Sequence, residues 1–249
     1  MRELRIATFN IHKGVTSFNA RLVLHEQREL IRNLRADIVF LQEVRGAHRP
    51  HQRRFAHWPT ESQHEFLADS IWREHAYGKN SIYPAGHHGN ALLSKFPIVR
   101  WENIDISAHA AEQRGMLHCE VAVSDWDQPL HCICVHLGLF ARWRHQQLAW
   151  LKERIESVVP PSAPLIIAGD FNDWRMKAGQ TFAADLHLRE VFELGHGRPA
   201  RSFPSVFPLL CLDRIYVRGF QVHHAQIHGG AAFSRVSDHV ALSATLLPL

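Results

Sequence analysis

Short apolar runs, each ended by a side chain able to hold a proton or a cation, recur along the whole chain. This pattern limits the fold more than any other feature. "PLIIAGDFNDW", Pro164 to Trp174, shows it best: Leu165 to Ala168 read as a buried strand, closed by Gly169, Asp170, Phe171, Asn172 and Asp173. Alone, this is a strand running into a turn, because Gly-Asp and Asn-Asp pairs supply turns. The same grammar returns elsewhere. "LRIATFNI" delivers Asn10 and His12, "DIVFLQEV" delivers Gln42 and Glu43, and the strand from Leu130 to Leu137 delivers His136. Asp213 opens "DRIYV", and Ser237, Asp238 and His239 immediately precede "VALSATL". Six strands tipped in this way describe the rim of a site, since scaffolds carry their chemistry on the loops at strand ends.

Helical periodicity fills some of the intervals. Leu24, Ile31 and Leu34 recur at helical spacing in "RLVLHEQRELIRNLRA", and "ESQHEFLADSIWREH" puts Phe66, Leu67, Ile71 and Trp72 in one stripe. A long helix is expected from Ala141 to Val158, with Leu148, Leu151, Ile155 and Val158 buried and Arg142, Arg144, Lys152 and Arg154 supplying charge elsewhere. Short strands are expected around Asn80 to Tyr83, Asn90 to Ser94, Ile98 to Glu102, Met116 to Val123, Arg214 to Val217, Phe220 to Ile227 and Val240 to Leu246, with a loop-rich stretch before Leu212. Many strands with few helices between them imply two sheets packed face to face with helices outside, in one α/β domain spanning residues 1–249. The 46% of hydrophobic residues can fill such a core, and 21% charged residues exclude a disordered chain.

The cysteines, Cys119, Cys132, Cys134 and Cys211, form no CxxC pair, which argues against a zinc ribbon. They read as free thiols, with Cys132 and Cys134 on one strand face, in a reducing compartment. No run approaches the ~18 apolar residues of a membrane span, and "MRELRIATFNIH" carries no leader pattern, so a cytoplasmic protein is expected. The net charge of +4 suits a phosphate-bearing partner without demanding one.

The rim residues suit one chemistry. Carboxylates with Asn and no ligand Cys favour a hard cation, Mg²⁺ or Mn²⁺. Two histidines and an Asp can supply a base, its orienting partner and a phosphate contact. Phosphodiester hydrolysis uses all of these.

Taken in order, "TFNIH", "LQEV", "GNALLSKFPI", "VHLG", "GDFND", "LDRIYV" and "SDH" resemble the signature of the endonuclease/exonuclease/phosphatase superfamily, from about Leu4 to Leu246. That superfamily includes DNase I, exonuclease III-type abasic endonucleases, neutral sphingomyelinases and inositol polyphosphate 5-phosphatases. "NIHKG", "GHHGNA", "GDFNDW" and "LDRIYV" are similar to an uncharacterised bacterial subgroup of it. The resemblance implies a DNase I-like four-layer α/β sandwich, two mixed sheets flanked by helices. It implies Glu43 as principal metal ligand with Asn10 beside it and Asp238 helping to hold the ion. Asp170 and Asn172 would place the attacking water and hold the scissile phosphate. His239 would be the histidine next to that phosphate, oriented by Asp213. His136 would contact a phosphate oxygen or protonate the leaving group, and Arg114 in "EQRGML" would reach phosphate. The carboxylate that accompanies the second histidine in DNase I-like members has no clear match near Tyr77 to Asn80.

Other polar residues divide evenly between structure and function: Tyr77, His87, His88 and Asn90 could each be either. Asp173 and Trp174 read as a turn and a packed aromatic, and Phe140 and Trp143 as core rather than pocket wall. The resulting expectation is a Mg²⁺- or Mn²⁺-dependent phosphodiesterase or phosphatase, a nuclease or phosphodiesterase first. Alternatives are a phospholipid head-group or inositol-phosphate hydrolase, and a degenerate member that only binds a phosphate ligand.

Overall fold

The computed structural model describes residues 3–16, 20–109, 112–175 and 182–249. Two six-stranded mixed sheets face each other. Chain order gives β1 (Leu4–Asn10), β2 (Ile38–His48), β3 (Glu74–Tyr83), β4 (Gly86–Ser94), β5 (Ile98–Asp105) and β6 (Gly115–Val121). The remainder are β7 (Leu130–His136), β8 (Leu165–Asp170), β9 (Arg189–Glu190), β10 (Asp213–Arg218), β11 (Phe220–His228) and β12 (Ala241–Pro248). The first sheet runs β11-β12-β1-β2-β4-β3 and the second β5-β6-β7-β8-β10-β9. Among the described residues, β1 with β2 and β7 with β8 pair in parallel and the other strand pairings are antiparallel.

Alternation along each strand builds four layers. Ile6, Phe40, Leu92, Cys132, Cys134, Ile166, Ile215 and Leu242 point between the sheets and form one core. The opposite faces of β1 and β2, Phe9, Val39 and Leu41, pack against the helices α1 (Leu24–Asn33) and α3 (Gln63–Ala68), the latter following α2 (Arg49–Arg54). Ile133, Val135, Leu165 and Ile167 pack against α4 (Ala141–Val158) through Leu148, Leu151 and Ile155. This is the DNase I-like sandwich.

Several local expectations change. The stripe at 61–75 is helical only to Ala68, because Asp69 takes a φ of 47° and ends α3. Trp72 is nonetheless buried, its Nε1 donating to the Ala36 carbonyl at 3.1 Å. β3 and β4 are longer than the sequence suggested, starting at Glu74 and Gly86. α4 has the expected bounds, yet Val158 is exposed and Val159 is buried, since the chain turns extended just after the last turn. Arg144 is buried rather than solvated: its Nη1 donates to the carbonyls of Gly138 (3.1 Å) and Leu139 (2.6 Å). The stretch before Leu212 holds β9 and a short helix, Val191–His196. The four cysteines are free, three of them buried. Among the described residues no helix is long and apolar enough to cross a membrane.

Candidate active site

Strand register assembles the site. β8 lies between β7 and β10, and Asp170 pairs with His136 on one side and Asp213 on the other. Three strand tips from distant parts of the sequence therefore form one row. In the other sheet Asn10 pairs with Gln42. Gln42 points between the sheets, its Nε2 3.2 Å from Thr8 Oγ1 and 3.3 Å from Cys134 Sγ. A regular strand would send the next residue, Glu43, to the opposite face. Instead, β2 slips register against β4 between Leu41 and Val44, and Glu43 adopts a φ of 56°. The bulge re-aims the carboxylate at the rim, the usual effect of such an irregularity beside a site.

Asp170 Oδ2 is where the two sheets meet. Asn10 Nδ2 donates to it at 3.2 Å, and the Nε2 atoms of His136 and His239 lie at 3.6 and 3.7 Å. Asp170 Oδ1 accepts the Asn172 backbone N–H at 3.0 Å, a local turn that puts Asn172 at a φ of 50°. The Asn172 side chain is fixed in turn by donating to the Leu137 carbonyl at 2.8 Å. His239 Nδ1 donates to Asp213 Oδ2 at 2.8 Å, while Asp213 Oδ1 is buried and accepts no hydrogen bond among the described residues. Ser237 pins this loop: its Oγ donates to the Asn10 carbonyl (2.7 Å) and accepts the His239 backbone N–H (3.1 Å).

The charges are strongly coupled. Burial opposes the His239 imidazolium, but Asp213, Asp170 and Asp238 outweigh it and carry its pKa up to about 10. Burial, with the carboxylates of Asp213 and Glu43, pushes Asp170 up to about 7 against the pull of His239 and the Asn172 amide. His136 is held well below the usual histidine range by burial and by Arg114, His239 and His88. Burial would raise Glu43, yet Lys13, His136 and His12 bring it well below the usual carboxylate range. Asp238 is lowered too: burial is outweighed by His12 and His239. One face of the site thus offers ionised carboxylates, and the other a neutral and a charged imidazole.

Asn10, Glu43, His136, Asp170, Asn172, Asp213, Asp238 and His239 converge, although the sequence separates them by up to 229 positions. Arg114 reaches the edge, lining a small cavity with Glu43, His88 and His136. His136 gains no separate carboxylate from the Tyr77 to Asn80 segment; the carboxylate nearest in geometry is Asp170. Tyr77 instead bonds Val44 and His87, and Asn90 ties the sheets together by donating to the carbonyls of Gly115 (2.9 Å) and Cys134 (3.2 Å). Lys13 escaped the sequence reading, and His12 entered it as a strand tip without an assigned role. Lys13 Nζ lies 3.1 Å from Glu43 Oε2, and His12 Nδ1 lies 3.1 Å from Asp238 Oδ1. Both take positive φ, 45° at His12 and 62° at Lys13, in the turn after β1. Their place next to Asn10 in "TFNIHKG" was the available signal.

Glu43 and Asp238 carry oxygens of the hard type that a divalent cation takes, and Asn10 lies beside Glu43 with its Nδ2 donating to Oε1 at 3.4 Å. Asn10 Oδ1 already accepts the His12 N–H at 3.1 Å, so it has one lone pair left to offer. Asp170, Asp213 and His239 form a second group, with ligand atoms within 4.8 Å of one another.

The endonuclease/exonuclease/phosphatase family model matches residues 7–239. The chain belongs to this family. Members of the endonuclease/exonuclease/phosphatase family act on phosphoester bonds, so the rim described above lies in a hydrolase scaffold. The uncharacterised protein YbhP of Escherichia coli K12 is 47% identical over 242 residues, which cover 97% of this chain and 95% of that protein. A family member from Beutenbergia cavernae DSM 12333 superimposes with a TM-score of 0.82 at 19% identity, covering 100% of this chain and 72% of the other. A mannosyl-6-phosphatase from Bacteroides thetaiotaomicron gives 0.74 at 17% identity, covering 98% and 99%. These two structural likenesses carry the fold.

Proposed function

We propose that the chain hydrolyses phosphoester bonds, most readily as a phosphodiesterase or nuclease, with a divalent cation, Mg²⁺ or Mn²⁺, held by Glu43 with Asn10 and Asp238. The observation that carries this reading is the convergence of Asn10, His136 and His239 on Asp170 Oδ2. When bound, the cation would neutralise charge on the phosphoryl oxygens. The chain's own groups do the rest. Asp170 and His239 share the handling of one proton: Asp170, raised toward neutrality, accepts it from the attacking water, and the imidazolium of His239 faces the developing charge. Asp213 orients the His239 imidazolium by accepting its Nδ1–H, so that Nε2 faces Asp170. Asn172 and Asp170 position the water and phosphate. Neutral His136 contacts a phosphate oxygen or serves the leaving group, and Arg114 approaches from the edge.

Support comes from the family and from the donor set; the mannosyl-6-phosphatase shows that this fold carries a phosphatase. Substrate classes within reach are nucleic acid, inositol phosphates and phospholipid head groups. The test is release of p-nitrophenol from bis-p-nitrophenyl phosphate with Mn²⁺ or Mg²⁺. The expected result is turnover that chelation abolishes and metal restores. No turnover on this ester or on plasmid DNA, RNA, inositol phosphates, sphingomyelin and mononucleotides, with metal present, would reduce the chain to a binding module.

A further inference from the structure

Loops at the site end of three neighbouring strands of the second sheet carry large apolar side chains into solvent. Leu139 and Phe140 follow β7, and Trp174 follows β8. Val206, Phe207, Leu209 and Leu210 lie in the loop that leads into β10. Phe140 is 62% exposed, Phe207 70% and Val206 80%. Half of the large apolar side chains exposed among the described residues belong to this lip. Isolated exposed apolar residues are ordinary; a set gathered around one mouth marks an interaction surface.

The lip is held open. Phe203 and Leu210 pair as a miniature hairpin, and the Phe207 N–H donates to the Pro204 carbonyl at 3.1 Å. Ser205 anchors that hairpin to the site: its N–H donates to the Asp238 carbonyl (2.7 Å) and its Oγ to the Ser237 carbonyl (2.6 Å). The Phe203 ring sits 5.1 Å from that of His239. Across the mouth, Arg144 binds the Leu139 carbonyl and lies 5.0 Å over the Trp174 ring. These bonds anchor the loops on both sides of the mouth, and the Phe140 ring meets that of Trp143 at 4.7 Å.

Charge selects the partner. Exposed Arg142, Arg175, Arg201 and Arg235 flank the apolar residues, and segments 137–147 and 199–212 contain no Asp or Glu. Apolar side chains fringed by exposed arginines, with the neighbouring carboxylates of Asp173 and Glu112 buried, complement a bilayer that carries anionic head groups: the side chains enter the head-group boundary and the guanidinium groups meet phosphate. We propose that this lip docks the protein onto an anionic phospholipid bilayer and so turns the site toward lipid head-group phosphates. Docking stands on the lip itself; its use in catalysis rests on the hydrolase reading above.

The test is co-sedimentation of the full chain with vesicles of phosphatidylglycerol and phosphatidylcholine, set against vesicles of phosphatidylcholine alone. The wild type should pellet with the mixed vesicles and be released by raised salt. Val206→Ser with Phe207→Ser should weaken binding at least about tenfold, with hydrolysis of bis-p-nitrophenyl phosphate unchanged. Leu139→Ser with Phe140→Ser, on the other side of the mouth, should weaken it similarly, and near-ultraviolet circular dichroism confirms that each variant is folded. Failure of the wild type to pellet, equal pelleting with phosphatidylcholine alone, or wild-type binding by both folded variants would overturn the proposal. Lip-dependent dimerisation without vesicle binding would overturn it in favour of a second copy of the chain. Lip-dependent vesicle binding with no hydrolysis of any ester would leave docking standing and remove the hydrolase reading instead.

Discussion

Asp213 heads a strand of one sheet and His239 precedes a strand of the other, yet His239 Nδ1 donates to Asp213 Oδ2 at 2.8 Å. The bond crosses the seam of the sandwich, so the site exists only when both sheets are docked. It also keeps His239 protonated: the carboxylates, against burial, carry the imidazole to about 10. Asp213→Asn removes the nearest negative charge and should move the His239 pKa down toward the ordinary histidine value, read from its imidazole proton resonances in metal-free protein. His239→Ala should cut kcat at least ~10²-fold, the low end for losing an acid–base group, and Asp213→Asn by less. Wild-type rates for His239→Ala would take this histidine out of the reaction and leave Asp170 alone to activate water.

The strand tips were readable because each apolar run has the length of a strand and ends abruptly in a carboxylate, Asn or His. His136, Asp170 and Asp213 need nothing more than regular strands in register to meet. Glu43 was readable as a tip but not as an aimed group: its direction depends on a bulge and a positive φ that no hydrophobic period encodes. Lys13 was missed for the same reason, since it reaches Glu43 only through a left-handed turn. Arg144 looked like a solvated charge on a helix, and its burial follows from carbonyls of the preceding loop that no local pattern announces. The stripe from Phe66 to Trp72 has helical spacing and a buried tryptophan, but tertiary contacts bury Trp72 after the helix has already ended at Ala68.

The Lys13–Glu43 pair sets two opposed expectations for metal. Glu43→Gln keeps the shape of the rim and removes a ligand charge, so the Mn²⁺ concentration giving half-maximal activity should rise by about tenfold or more. Lys13→Met removes the ammonium that competes for Glu43 Oε2 and should lower that concentration. Titrating Mn²⁺ against both variants in parallel checks the pair; a shift in the same direction for both would exclude Glu43 as the ligand that Lys13 offsets.

Asn90 should matter to stability. Its Nδ2 bridges the sheets through the carbonyls of Gly115 and Cys134, all buried. Asn90→Ala leaves those carbonyls without that donor and should cost about 1–3 kcal/mol in urea unfolding. Loss of cross-sheet packing beneath the site should also lower the thermal midpoint while the variant stays folded at 25 °C. An unchanged urea midpoint would mean that the bridge contributes nothing net.

Acid should destabilise the fold through buried histidines far from the site. On the outer face of the second sheet, His118 Nε2 and His131 Nδ1 lie 3.0 Å apart, both buried. Burial first, then His131 and nearby arginines, bring His118 down to about 3, and burial lowers His131 as well. Two imidazoles at this distance can share one hydrogen bond only while at least one is neutral. In the unfolded chain each takes a proton near pH 6.5; in the folded protein they resist it. The folded pKa is the lower one, so the unfolded state binds more protons as pH falls, and stability declines with it. The loss should begin near pH 6.5 and continue until the folded His118 titrates near 3. His118→Leu with His131→Leu removes both groups without leaving a buried polar partner. Thermal midpoints measured from pH 7.5 to pH 4.5 should fall more steeply for the wild type than for this variant. Parallel slopes would assign the acid sensitivity to other groups and clear this histidine pair of any part in it.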